Sequence, residues 1–325
     1  MSLPLADRDT DASELSGMIW VSQPGYLRLS GEDNQAFLQR QTTNDLTLIK
    51  PGHALATILT TPTARIQDVL YLLQEQDAIG ILTLPNRGQA TARYLQNRIF
   101  FMDKVSLTDL SPEIALAHIF GPKAIPALTR LGFPSELSID RVSRVEFAGA
   151  DLASWLLNPV LSFCAVILAP ISSKEKISSI LNSNGITSIS ESEYERIRVE
   201  RGYPDGDAEL IDAYTHLEVG LEGLVSLKKG CYTGQEVLAR QVNYEKISQR
   251  LMGLQLERPA SSGDKLYSED GRPAGVLTSY AYSPRLGPIG LAVVKRPFFQ
   301  PGSSLQVKGS EDQPQSALLV PLPFP

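Results

Sequence analysis

The sequence predicts an α+β fold: two antiparallel α+β subdomains within residues 1–247, followed by a small antiparallel β-barrel over residues 248–325. Two observations carry this. A run of strand signals followed by a helix signal occurs twice in the first part of the chain. From Ser248 onward, helical periodicity gives way to short strands punctuated by Ser262-Gly263-Asp264, Glu269-Asp270-Gly271 and Leu286-Gly287-Pro288.

Taken in order, residues 26–29 read as a strand, 33–41 as a helix, and Pro51-Gly52 as a break. Residues 54–60, 66–74 and 78–84 read as successive strands of a meander, turned at Thr61-Pro62-Thr63 and Glu75-Gln76-Asp77. Asn86 with Gln89 has the spacing of a capping box for a helix running to about Arg98. Residues 114–120 form a strand, and a helix opened by Pro122 and closed by Gly132 follows. Residues 142–147, 152–157 and 163–168 supply three more strands, and Ser172 with Glu175 caps a helix ending near Asn184-Gly185. Residues 191–201 are a helix whose pairs Glu193/Arg196, Glu195/Arg198 and Arg196/Glu200 suit a solvated face. The proline-rich residues 319–325 read as an edge or a loose tail.

With 42% hydrophobic and 20% charged residues, the chain can bury two or three cores. A net charge of −6 and pI near 5.3 lack the basic face that nucleic-acid binding needs. Residues 1–20 have neither a secretory signal nor a transit-peptide composition, and the apolar stretch 160–169 is too short to span a bilayer. A cytoplasmic protein without membrane or nucleic-acid partners is expected. Cys164 and Cys231 form no Cys-x-x-Cys pair, and His53, His118 and His216 show no metal-ligand spacing. Cys164 reads as core, whereas His216 reads as a loop histidine with solvent or a single hydrogen bond. No Gly-x-Gly-x-x-Gly or Walker-type loop occurs.

The most informative stretch is Lys228-Lys229-Gly230-Cys231-Tyr232-Thr233-Gly234-Gln235-Glu236. Thr233 with Glu236 has capping-box spacing, which places a helix start near Thr233 and Cys231 just outside it. A thiol there meets unpaired N–H groups, the positive end of the helix dipole and two lysines, all of which favour thiolate. The same residues also suit an ordinary cap in which Cys231 merely packs.

This word resembles the signature of the YgfZ family, folate-binding proteins related to the glycine-cleavage aminomethyltransferases. Ile197-Arg198-Val199-Glu200-Arg201-Gly202-Tyr203-Pro204, Phe37-Leu38-Gln39 with Gln41-Thr42-Thr43-Asn44-Asp45, and Gly275-Val276-Leu277-Thr278-Ser279 are similar to further family segments. The resemblance implies an aminomethyltransferase-like fold around a central hole that holds tetrahydrofolate or a one-carbon derivative. It implies folate contacts from Glu200, Arg201, Asn44 and Tyr232, with Glu200 accepting paired N–H bonds from the pterin edge. It gives Cys231 the chemical role, Lys229 lowering its pKa while Gln235 and Glu236 orient the loop and cap. Implied partners are client iron–sulfur enzymes or cluster-assembly proteins, for which the chain acts as an accessory protein. The alternative is a folate-dependent one-carbon transferase. Residues 86–99 contain neither Asp nor Glu, so the aspartate expected there for aminomethyl transfer is missing.

Overall fold

The computed structural model describes residues 15–139, 141–159, 162, 164–243, 247–309 and 313–324 of the 325. Phe163, expected to open a strand, and Pro325, at the end of the expected tail, lie outside the described residues, as do positions 1–14. The chain runs through β1 (Gly17–Trp20), β2 (Gly25–Ser30), α1 (Asn34–Gln41), β3 (Ala54–Thr60), β4 (Ile66–Gln74), β5 (Ala78–Thr83), α2 (Gly88–Gln96) and β6 (Ser106–Asp109). It continues through β7 (Ile114–Phe120), α3 (Ala124–Arg130), β8 (Ser143–Phe147), β9 (Ala150–Leu156), β10 (Ala165–Pro170), α4 (Lys174–Ser183), β11 (Thr187–Ser188), α5 (Glu191–Glu200) and α6 (Gln235–Asn243). Six strands finish it: β12 (Gln249–Leu256), β13 (Lys265–Tyr267), β14 (Pro273–Ser283), β15 (Gly287–Lys295), β16 (Ser304–Lys308) and β17 (Gln315–Val320).

The strands form a six-stranded sheet, β11-β1-β7-β10-β9-β8, a five-stranded sheet, β3-β4-β5-β2-β6, and a closed barrel, β12-β15-β14-β13-β16-β17. All pairs are antiparallel except β1 with β11. Strand alternation explains the layering, because successive side chains leave opposite faces of a sheet. In β7 and β10, Ala117, Ile119, Ala165 and Ile167 pack outward against Ala127 and Leu128 of α3 and Ile177 of α4. In β4 and β5, Leu70, Leu72, Ile79 and Ile81 pack outward against Phe37 and Leu38 of α1 and Leu95 of α2. The alternate residues, among them Leu116, Val166, Val69, Tyr71 and Leu82, turn inward to a core shared by both sheets, α5 and the barrel. A fully buried Leu or Ile contributes about 1.5–3 kcal/mol, far more than a few tenths from helix propensity. Two-sided burial of the sheets therefore dominates, and the short helices survive by packing on them.

Four sequence expectations are corrected. Asn86 caps nothing: α2 begins at Gly88 without a side-chain cap, and Asn86 takes a left-handed turn at φ 63. Ser172 lies in a 3-10 turn, and no side chain caps α4. The C-terminal stretch is not a loose tail, since β17 closes the barrel and both Leu319 and Phe324 are buried. The α5 face is not simply solvated, because Arg198 is buried. Ser190 does cap α5, its hydroxyl accepting from the Glu193 N–H.

Candidate functional site

A cavity of ≈ 360 Å³ lies between the inner faces of the two sheets and beside α5. Val69 and Tyr71 of β4, Leu82 of β5, Leu116 of β7 and Leu157 make it largely apolar, while Asn86 and the loop through Asp205 and Asp207 add polar groups. Volume and lining fit a small-molecule site. Helix α5 presents Glu191, Tyr194, Glu195 and Arg198 to it, the 3- and 4-residue spacing of one helical face.

Arg198 fixes that face. Its Nε donates to Glu195 Oε2 at 2.8 Å and its Nη2 donates to Glu195 Oε1, so the Glu195 carboxylate is clamped at both oxygens. Arg198 also reaches Ser279 Oγ of β14 at 2.7 Å and Glu209 at 3.4 Å. Ser279 in turn donates to Glu209 Oε1 at 2.7 Å. Burial pushes the Glu209 carboxyl pKa up, against the pull of Arg198. This network ties the cavity wall to the barrel. Asp205 is less committed: its Oδ2 accepts from the Asp207 N–H at 3.0 Å.

Deeper in the wall, His118 Nδ1 and Tyr194 Oη are 2.8 Å apart, and Cys164 Sγ lies 4.0 Å from the same hydroxyl. Burial pulls the His118 pKa down to about 4 and pushes the Cys164 thiol up to about 12, so both are neutral near pH 7. Asp205 is close enough for its charge to act on both rings. Sequence alone considers His118 only as a metal ligand and does not single out Tyr194. The signal was present: the alternation that turns Leu116 and Phe120 inward in β7 turns His118 inward as well.

The site residues expected from sequence are not among those that line this cavity. Glu200 lies on the side of α5 away from the cavity, five residues on from Glu195, and pairs with Arg196 at 2.5 Å. Arg201 caps the C-terminus of α5, where its charge acts on Cys164; it is not among the cavity-lining residues. Asn44 Nδ2 donates to the Ala56 carbonyl at 2.9 Å, a turn-fixing role. Tyr232 is buried against Ala64 and Leu238. No residue of 228–236 lines the cavity.

Within the cysteine loop, Cys231 is exposed. Lys229 points elsewhere: its ammonium donates to the carbonyls of Gln39, Thr42 and Asn44, each at 2.7 Å. Burial pulls its pKa down to about 8, yet only an ammonium has three protons for three carbonyls. Helix α6 starts at Gln235, two residues past Thr233, and Glu236 pairs with Arg240 on the surface. The loop is pinned by Thr60 Oγ1 donating to the Thr233 carbonyl at 2.7 Å and, more weakly, by Gln235 Nε2 reaching the Lys229 carbonyl at 3.5 Å. His216 is buried rather than solvated, and its Nδ1 has no hydrogen-bond partner. Among the described residues no group of three or more His, Cys, Asp or Glu is placed to hold a metal.

Asp68 of β4 is a second omission from the sequence reading. It is fully buried, accepts from the Val69 and Leu84 N–H groups and from Thr91 Oγ1, and burial raises its pKa to about 7. It staples β4, the end of β5 and α2 directly behind the cavity wall.

Residues 10–155 match the GCVT N-terminal domain, and residues 249–324 match the glycine cleavage T-protein C-terminal barrel domain. A chloroplastic protein of Arabidopsis thaliana, named as a transferase, is 30% identical over 93% of this chain and 71% of its own length. An aminomethyltransferase of Chlorobium chlorochromatii is 27% identical over 90% of this chain and 82% of its own. The crystal structure of the glycine cleavage system aminomethyltransferase T from Bartonella henselae superposes with a TM-score of 0.84 at 19% identity, covering 96% of this chain and 86% of that one, which establishes the shared fold. No helix among the described residues is long and apolar enough to cross a membrane.

Proposed function

The chain belongs to the glycine cleavage T-protein family, and on that premise we propose that it binds a reduced folate between its two sheets and acts as a folate-dependent one-carbon transferase. The observation that carries this reading is the ≈ 360 Å³ cavity lined by Tyr71, Leu82, Leu116 and Leu157 together with the polar groups of Asn86 and Asp205. A pterin is flat and apolar on its faces and carries N–H donors along one edge, so a largely apolar lining that includes a carboxylate suits it. Tetrahydrofolate would supply a carrier for an aminomethyl- or methyl-derived carbon. Asp205 is the preferred acceptor because Glu195 is already clamped by Arg198. The acid that residues 86–99 lack has candidate substitutes in Glu191, Glu195, Asp205 and Asp207, all cavity-lining.

Incubation of the purified protein with tetrahydrofolate and aminomethyl or methyl donors tests the reading. One-carbon-loaded folate formed over many turnovers supports it, and substoichiometric product alone contradicts it.

One observation favours a second reading. Cys231 is exposed and stands apart from the cavity residues, as suits a thiol that meets a protein partner rather than the folate. On this YgfZ-like reading the chain is a folate-binding accessory protein for iron–sulfur enzymes, in the cytoplasm or an organelle. Cys231→Ala then abolishes client-enzyme activity in cells while leaving folate binding unchanged, and full client activity in that variant removes the reading.

A further inference from the structure

The turn that follows α2, Phe100-Phe101-Met102, carries three large apolar side chains into water: Phe101 is 98% exposed, Met102 73% and Phe100 68%. A single exposed apolar residue is ordinary, but three in succession on one turn make a patch of the kind that marks an interaction site. Hydrogen bonds hold the turn in shape. Asp103 closes it, its N–H donating to the Phe100 carbonyl at 2.9 Å while its Oδ2 accepts from the Phe100 N–H at 3.0 Å. Asp103 Oδ1 accepts from Arg40 of α1 at 2.6 Å, and the Lys104 N–H donates to Asp33 Oδ2, just before α1, at 2.9 Å. The tip is thus presented on a braced backbone, which spares a partner the cost of ordering it. Lys104 and Arg40 are paired with Glu32 and Asp103. Arg93, on the exposed side of α2, and Arg98, just after it, donate only to the helix carbonyls of Gln89 and Tyr94, at 3.4 and 3.3 Å, and among the described residues neither meets a carboxylate. The approach to the tip therefore carries positive charge that the chain does not compensate.

We propose that this tip docks the protein peripherally on an anionic lipid surface, Phe100, Phe101 and Met102 entering the headgroup boundary while Arg93 and Arg98 meet lipid phosphates. Two phenylalanines and a methionine offer roughly 500 Å², short of the roughly 800 Å² that each partner gives to a stable protein interface. A bilayer requires no complementary pocket: it accepts a convex apolar tip, and its negative surface potential attracts cations. Such docking needs no spanning segment. With one tip and no lipid chain, binding is reversible and sensitive to salt. The helices α1 and α2 pack on the outer face of the five-stranded sheet, and no residue of 93–104 lines the cavity, so lipid docking and ligand binding are separable.

Co-sedimentation of the full chain with phosphatidylcholine vesicles, made with and without phosphatidylglycerol, tests the proposal. Binding to the anionic vesicles is expected, weakening by at least about tenfold in Phe101→Ser and by about fivefold or more when Arg93→Gln and Arg98→Gln are combined. It should also fall as salt is raised. Phe101 is almost fully exposed, so Phe101→Ser is expected to keep the wild-type thermal midpoint, which separates lost docking from lost folding. Phe101→Trp adds a direct readout: its emission should shift to the blue on addition of anionic vesicles and stay in place with phosphatidylcholine alone. No sedimentation with anionic vesicles, equal binding to the two vesicle types, or Phe101→Ser binding as tightly as wild type overturns the proposal. A concentration-dependent dimer that Phe101→Ser dissolves, without lipid binding, gives the patch to a second copy of the chain and overturns the lipid assignment.

Discussion

Lys229 and Cys231 are two positions apart in sequence but face different parts of the molecule: the Lys229 ammonium is buried against the carbonyls of Gln39, Thr42 and Asn44, while Cys231 is exposed. The lysine is thus a fastener between the cysteine loop and the end of α1.

Removing it strands three carbonyl oxygens. Lys229→Ala is expected to destabilise the protein by about 2–4 kcal/mol, and Cys231→Ser by less than about 0.5 kcal/mol. Urea denaturation of the two variants measures this. Equal effects would contradict the fastener role.

Gly234 makes the same loop possible. It has φ +85, and a Cβ placed on it would stand 2.7 Å from the Thr61 carbonyl oxygen. Gly234→Ala should cost about 1–3 kcal/mol through strain and displacement of the loop from the β3–β4 turn. A thermal midpoint equal to wild type would show that the loop has room to move.

The buried guanidinium of Arg198 faces Glu195, Glu209 and Ser279. Arg198→Met leaves the fully buried Glu209 without its cation, and a loss of about 3–5 kcal/mol follows. Pairing it with Glu209→Gln should recover a good part of that loss. A double variant no more stable than Arg198→Met would place the cost in packing instead.

Stability should depend on pH with a sign set by three buried groups. His118 and His216 are both lowered from 6.5 to about 4, so between these values the unfolded chain binds two protons that the folded chain does not. Asp68 is raised from 3.8 to about 7, so over much of that range the folded chain holds one proton that the unfolded chain does not. The difference, at most one proton more on the unfolded chain and less at the acid end where the raised Glu209 carboxyl also holds its proton in the folded chain, makes stability rise by up to about 1.4 kcal/mol per pH unit from about pH 4 to 6.5. From about 6.5 to 7 Asp68 alone titrates, and stability falls slightly. Asp68→Asn removes the opposing proton and should steepen the lower limb to about 2.7 kcal/mol per unit. Denaturant melts across this range check it, and a slope left unchanged by the substitution would contradict the assignment.

The sheets were legible in the sequence because apolar runs and the turns between them are local: β3, β4 and β5 could be placed from the runs and turn residues of 54–84 alone. The barrel strands were marked by their turns in the same way. What stayed hidden depends on partners far away in the chain. The charges of α5 read as a solvated face because nothing near Arg198 in sequence announces Ser279 of the barrel. Glu200 was expected to contact folate from the family resemblance alone, and it is Glu195 of the same helix that lines the cavity. Lys229 looked like an electrostatic partner of Cys231 because its actual partners lie in residues 39–44. The strands β1 and β6, four residues each, were too short to give a periodic signal.

On the proposed reading, Asp205 on the cavity side of the molecule, and not Glu200, meets the folate edge. Calorimetric titration of tetrahydrofolate into wild type, Asp205→Asn and Glu200→Gln separates the two carboxylates. Wild type is expected to bind at about micromolar Kd or tighter, weakening by at least about tenfold in Asp205→Asn, with no change beyond about twofold in Glu200→Gln. Binding lost in Glu200→Gln and kept in Asp205→Asn, or no heat from any of the three proteins, would contradict it.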